Sequence, residues 1–172
     1  MASPDLTIRF EREDDAAAIR EVNRTAFATQ AEADLVDRLR RLEASVVSLV
    51  AQDGASLVGH ILFSRVSVTG REPMPILGLA PLAVRPDRQR QGIGSQLVRA
   101  GLDAGLQTRA GAVVVVGHAR FYPRFGFVPA SRFGLSCEYA VPDEVFMALE
   151  LVPGFLAGPG GLVQYHPAFA EL

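Results

Sequence analysis

Between Leu6 and Phe10 apolar and polar residues alternate with the two-residue period of a half-buried strand. After the acidic run Glu13-Asp14-Asp15 the period changes, and Ile19, Val22, Ala26 and Phe27 recur at helical spacing. A second helix is predicted over residues 31–42, with Leu35, Val36, Leu39 and Leu42 on one face. Its other face carries Asp34/Arg38 and Asp37/Arg41 at i,i+4 spacing and reads as solvated.

Residues 46–51 and 57–66 are β-rich runs separated by Asp53-Gly54, a dipeptide suited to tight turns, which predicts an antiparallel hairpin. Turn-forming residues punctuate 70–75, and the apolar run Ile76–Val84 follows with a proline at position 81. Pro81 has no N–H for a ladder, so the sheet should be broken there, exposing backbone groups to other partners. Residues 93–106 form a helix that is apolar around much of its girth, with Gly101 and Gly105 allowing close approach to a sheet. A valine strand over 111–116, a turn of helix over 119–124 and a strand over 145–151 complete a mixed α and β order. Residues 154–161 read as a glycine-rich loop leading to a terminal extension.

The length of 172 residues and the 49% hydrophobic content fit one domain with one core. A net charge of -2 argues against a general binder of nucleic acid or anionic membrane. All 17 basic residues are arginine, which removes Schiff-base chemistry, a Walker lysine and self-acetylation on a side chain. A single cysteine, Cys137, precludes an intramolecular disulfide, and residues 1–10 lack the cationic and apolar regions of a signal peptide. No apolar run approaches the roughly 20 residues that span a bilayer, so the expected location is cytoplasmic. His60, His118, His166 and Cys137 show no zinc-ligand spacing, so no metal is expected. No Gly-x-Ser-x-Gly elbow points to a serine hydrolase.

The strongest chemical signal follows the proline-containing strand. Arg85-Pro86-Asp87-Arg88-Gln89-Arg90-Gln91-Gly92-Ile93-Gly94-Ser95 runs directly into the apolar helix. Two glycines let the backbone pass close to a ligand, while the unpaired amides and positive dipole end of the helix favour an anion such as a diphosphate. Arg85, Arg88, Arg90 and Arg99 offer further charge. A Rossmann loop needs glycine where Leu97 stands, and a Walker loop needs Gly-Lys-Ser/Thr. The bland reading is a glycine turn that only packs or caps the helix.

Gln89-x-x-Gly92-x-Gly94 after a strand, with Tyr122-x-x-x-Gly126-Phe127 later, resembles the GNAT superfamily of acyl-CoA N-acyltransferases. Gly117-His118 and Tyr122-Pro123-Arg124-Phe125-Gly126-Phe127 are similar to a small bacterial subfamily of predicted acetyltransferases within it. The resemblance implies an α/β fold with a mixed, mostly antiparallel central sheet of about seven strands, flanked by helices and splayed at the fourth and fifth strands. It implies a GNAT-like domain over residues 1–152 and an extension, 153–172, packed on it. Acetyl-CoA would be the co-substrate: Leu82, Ala83 and Val84 would offer backbone groups to the pantetheine arm. The amides of Gln89, Arg90, Gln91, Gly92, Ile93, Gly94 and Ser95 would hold the diphosphate.

Acetyl transfer needs an unprotonated amine, a polarised thioester carbonyl and stabilisation of the departing thiolate. The resemblance assigns the last role to the Tyr122 hydroxyl and the second to the backbone amide of Leu82 or Ala83. The alternative for Tyr122 is an aromatic core with Phe121, Phe125 and Phe127. Many relatives carry a carboxylate on the strand before the loop, yet Ile76–Val84 has no ionisable side chain. Glu32 is one candidate base, although Thr29-Gln30-Ala31-Glu32 is also a capping-box pattern. His118 is another candidate, or else a turn residue. The expected acceptor is a primary amine on a small molecule or peptide, and a homodimer is plausible through the last strands or the extension. A second reading is a CoA-binding sensor or partner-regulated module with little catalysis.

Overall fold

A computed structural model describes residues 5–71 and 74–172. Parts of two regions considered above, residues 1–4 and residues 72 and 73, lie outside the described residues. The alternating amino-terminal run is strand β1 (Leu6–Phe10), followed by helices α1 (Ala16–Ala26) and α2 (Ala31–Arg41). The hairpin is β2 (Ser45–Asp53) and β3 (Ser56–Val68), turning at Gly54 with φ +58°. Then come β4 (Ile76–Val84), α3 (Ile93–Gln107) and β5 (Ala112–Val116). The remaining strands are β6 (Val128–Pro129), β7 (Leu135–Cys137), β8 (Phe146–Glu150) and β9 (Gly161–Gln164).

The strand order is β1-β2-β3-β4-β5-β8-β6, with β9 joined to β3 and β7. Pairing is antiparallel except at β4–β5 and β7–β9, giving the mixed, mostly antiparallel sheet that was expected. The described residues form nine strands rather than about seven. Three of the nine are two to four residues long, too short for a hydrophobic period to register. Helix α3 packs on β2 and β3 from one face, and α1 packs on β3 and β4 from the other.

The break at Pro81 is a bulge. Ile61 pairs with Leu82 and Phe63 with Leu79, so Ala80 and Pro81 together oppose Leu62. The inserted residue reverses the side-chain alternation. Leu77 and Leu79 face the core under α3, and beyond the bulge Leu82 and Val84 face it too, instead of the positions 81 and 83 that strict alternation selects. Ala83 is buried opposite His60.

Within α3, Gly101 and Gly105 are not equivalent. A Cβ at Gly101 would lie 2.4 Å from the Phe63 ring, whereas one at Gly105 would meet Leu77 at an ordinary 3.5 Å. Gly101→Ala is therefore expected to lower stability by about 1–3 kcal/mol through overpacking. Gly105→Ala should be neutral or stabilise by up to about 1 kcal/mol through helix propensity. Urea unfolding of the two variants checks the contrast.

The i,i+4 pairs expected on α2 do not form. Arg20 of α1 lies between Asp34 (2.7 Å) and Asp37 (2.5 Å), Arg40 also reaches Asp37 (2.9 Å), and Arg38 pairs with Glu171. The face read as solvated instead ties α2 to α1 and to the carboxy-terminal turn, because tertiary partners present better-aligned groups than the next helical turn does.

A buried polar chain links these layers. The Asn23 side-chain amide donates to His60 Nδ1 (3.1 Å), His60 Nε2–H donates to Ser48 Oγ (2.9 Å), and Ser48 donates to Glu11. Arg40 completes it by donating to Glu11 at 2.7 Å. Burial first, and the Arg40 charge second, push the His60 pKa down to about 3. The unfolded chain thus binds a proton that the fold excludes, so this contribution is fully present above about pH 6.5 and is lost as pH falls toward 3. Stability should rise with pH across that window by up to about 1.4 kcal/mol per unit, and His60→Gln should remove this component of the slope in urea unfolding at several pH values.

Candidate active site

Strands β4 and β5 pair only between Ile76–Gly78 and Ala112–Val114. Beyond Gly78 the pairing stops, and a cleft of about 860 Å³ opens between them. Its walls come from both faces of the sheet: Leu82 and Val84 with the loop before α3 on one side, and Phe27, Glu32 and Leu35 on the other. Tyr122 and His118, which follow β5, line it as well. The expected splay at the fourth and fifth strands is thus the origin of the cavity.

The loop is shaped to present amides. Arg90 has φ +60° and Gly92 φ +83°, and the Gln89 side chain braces the turn by donating to the Val84 carbonyl at 3.0 Å. Gln96 is the first residue of α3 whose amide has a backbone acceptor, the Gly92 carbonyl at 3.0 Å. The amides of Ile93, Gly94 and Ser95 have none among the described residues, as the first turn of a helix requires. A Cβ at Gly92 would touch nothing, and one at Gly94 would make only ordinary contacts from 3.7 Å outward. Close packing requires neither glycine: Gly92 serves its positive φ in the turn that leads into α3, and Gly94 leaves room above the helix end.

The arginines divide by their partners. Arg85 is held by Asp87 (2.8 Å) and Arg88 by Asp53 (2.6 Å), while Arg99 lies over the Phe125 ring at 5.2 Å. Arg90 and Arg124 have no carboxylate partner among the described residues, and both line the cleft. Arg124 stacks over Phe121 at 4.7 Å and reaches Ser95 Oγ at 3.4 Å. Sequence reading did not single it out, although it stands inside the Tyr-Pro-Arg-Phe run.

Tyr122 begins a short 3-10 turn (Tyr122–Phe125) and is only 6% exposed. Its ring meets Phe121 edge-on (5.0 Å) and Phe127 (5.6 Å), while the residue borders the cleft. The aromatic-core and cleft readings therefore both describe it. Burial pushes its pKa up to about 12, so the hydroxyl keeps its proton at any working pH.

This architecture of splayed strands and helix-end amides has counterparts among known proteins. Residues 44–129 match the family model described as an acetyltransferase (GNAT) domain. The chain belongs to the GNAT family of acetyltransferases. Two relatives from Escherichia coli K12 are the uncharacterized N-acetyltransferases YhbS and YjhQ. YhbS is 38% identical, over 95% of this chain and 98% of that protein. YjhQ is 41% identical, over 81% and 79%. The crystal structure of E. coli YhbS in complex with CoA superposes with a TM-score of 0.94 at 35% identity, covering 100% of this chain and 96% of that one. A GNAT-family acetyltransferase from Brucella melitensis, in complex with acetyl-CoA, gives 0.80 at 37% identity, covering 95% and 97%.

Within this GNAT protein, the residues singled out from sequence do not all share one location. Leu82, Val84, Gln89, Arg90, Gly92, Ile93, Gly94 and Ser95 line the cleft with Tyr122, Glu32 and His118. Ala83 and Gln91 are not in its lining, Ala83 because the bulge turns its side chain toward His60. The capping box at Thr29–Glu32 does not form. Helix α2 has Gln30 at its N-cap with no side-chain cap bond, and the Thr29 hydroxyl accepts from the Ala31 amide at 3.3 Å. The Glu32 carboxylate accepts a long 3.5 Å bond from that hydroxyl and faces the cleft, because α2 starts one residue later than a threonine cap requires. His118 is exposed at the cleft edge, with its carbonyl accepting from Phe121 at 3.0 Å.

Proposed function

We propose that this GNAT protein binds acetyl-CoA in the cleft and transfers the acetyl group directly to a primary amine. The observation that carries the reading is the row of acceptor-free amides at Ile93, Gly94 and Ser95, opening onto the cavity that Tyr122 and Glu32 line. These amides and the helix dipole hold the diphosphate, with Arg90 and Arg124 adding charge. The pantetheine arm runs along Leu82 to Val84, where the bulge interrupts the β3–β4 register.

The acceptor nitrogen, having lost a proton, attacks the thioester carbonyl, whose oxygen is polarised by the amide of Leu82 or Ala83. The C–N bond forms, the C–S bond breaks, the nitrogen gives up its second proton to solvent, and the amide product and CoA leave. Tyr122 donates a hydrogen bond to the developing thiolate. With its pKa near 12 against about 8.5 for a thiol, complete proton transfer is about 5 kcal/mol uphill, so the tyrosine stabilises without ionising and the thiolate takes its proton from solvent. Glu32 is the nearer fit to the base, since it is the lining carboxylate that no arginine neutralises; His118 is the alternative. The absence of an ionisable group on β4 favours a second reading, a CoA-binding sensor with slow turnover.

Thermal unfolding with acetyl-CoA, dephospho-CoA and NADH tests the binding half. Acetyl-CoA at 100 times its Kd should stabilise the fold by about 2.7 kcal/mol, with NADH giving no shift. Stabilisation without thiol release over a panel of amines would favour the sensor, and no stabilisation at millimolar acetyl-CoA would overturn both readings.

A further inference from the structure

The charges of the cleft are segregated. Its cationic lining residues, Arg88, Arg90 and Arg124, all lie in or beside the loop that leads into α3. At the opposite end, where α1 passes into α2, the lining includes Ala26, Phe27, Leu35, Pro81 and Leu172, with one side-chain carboxylate, Glu32. The charged groups on the adjoining turns of α2 are already committed, Asp34 and Asp37 to Arg20 and Arg38 to Glu171. Among the described residues, the Glu32 carboxylate accepts a hydrogen bond only from the Thr29 hydroxyl. An acceptor entering there meets a carboxylate side chain, Glu32, that has no basic partner among the described residues and is set in an apolar wall, with His118 at the rim.

We infer that the acceptor is an apolar primary monoamine: one ammonium on an aryl or alkyl body, with no carboxylate. The inference rests on the acetyl-transfer reading above and deepens it. The ammonium pairs with Glu32 as it arrives, and the body covers Phe27, Leu35 and Pro81, removing apolar surface from water. A carboxylate beside the amine, as in a free amino acid, would find no cation at this end and would lie close to Glu32. A polyamine would leave its additional charges against apolar side chains without anions.

The test compares three acceptors at saturating acetyl-CoA by thiol release: phenethylamine, L-phenylalanine, which adds only a carboxylate, and spermidine. Phenethylamine should exceed phenylalanine in kcat/KM by about 100-fold, the scale of a like-charge contact, and spermidine by about tenfold, the scale of lost apolar contact. In Glu32→Gln the preference for phenethylamine over phenylalanine should shrink about tenfold. Loss of a base alone would lower both rates and leave that ratio unchanged. Equal or better turnover of phenylalanine or spermidine, or an unchanged ratio in the variant, would overturn the acceptor assignment while leaving acetyl transfer intact. Binding of acetyl-CoA with no thiol release from any of the three would overturn the transfer reading, and the acceptor with it.

Discussion

Tyr122→Phe is expected to lower kcat about 100-fold, the lower end of what one positioned hydrogen-bond donor to a developing negative charge contributes, while KM for acetyl-CoA stays within about threefold. Phenylalanine keeps the edge-on contacts with Phe121 and Phe127, so the variant should fold with nearly unchanged stability and isolate the hydroxyl. Because burial holds the Tyr122 pKa near 12, the wild-type rate should show no alkaline decline from this residue below about pH 10. A pH profile of kcat from 6 to 10 checks both points. Unchanged turnover in the variant would leave Tyr122 as a core aromatic and move thiolate stabilisation elsewhere.

Gly117→Ala should give a comparable loss by a different route. A Cβ at Gly117 would lie 2.3 Å from Cε2 of the Tyr122 ring, a distance that only movement of the ring or of the β5 end can relieve. The ring is confined by Phe121 and Phe127, so the displacement should cost about 1–3 kcal/mol of stability. It should also shift the hydroxyl by several tenths of an ångström and lower kcat about tenfold to 100-fold. Gly117 is thus a positioning residue. Adding the Tyr122→Phe change separates the roles: with the hydroxyl already gone, Gly117→Ala should affect kcat far less than in the wild type. Equal, additive losses in the double variant would show that the glycine acts independently of the tyrosine.

Much of the architecture was legible along the chain. Ile76–Val84 coincides with its predicted span, and β1 and α3 were recognisable because their apolar residues repeat over enough positions to declare a period. The bulge was legible from one proline, though its reversal of side-chain facing was not, since that depends on which residues of β3 lie opposite. The strands β6, β7 and β9 escaped because their stability comes from pairing, β6 with β8, β9 with β3 and β7 with β9, rather than from a pattern of their own. The partners of Asp34, Asp37 and Arg38 were misjudged for a related reason: helical spacing ranks local neighbours, whereas Arg20 and Glu171 are distant in sequence and near in space.

By itself, the sequence located the loop and helix end that we propose to hold the diphosphate, because Gln89 through Ser95 are consecutive and the chemistry of a helix end is carried by contiguous backbone. It also determined that no lysine side chain of these 172 residues takes part in the chemistry. Only the tertiary structure decided that Glu32 shares a cavity with Tyr122 and His118, that Arg124 rather than Arg85 faces that cavity unpaired, and that Ala83 turns away from it. These facts depend on where β4 parts from β5 and on which partner each charge reaches first. Such competition between distant groups is settled by packing, and no local spacing records its outcome.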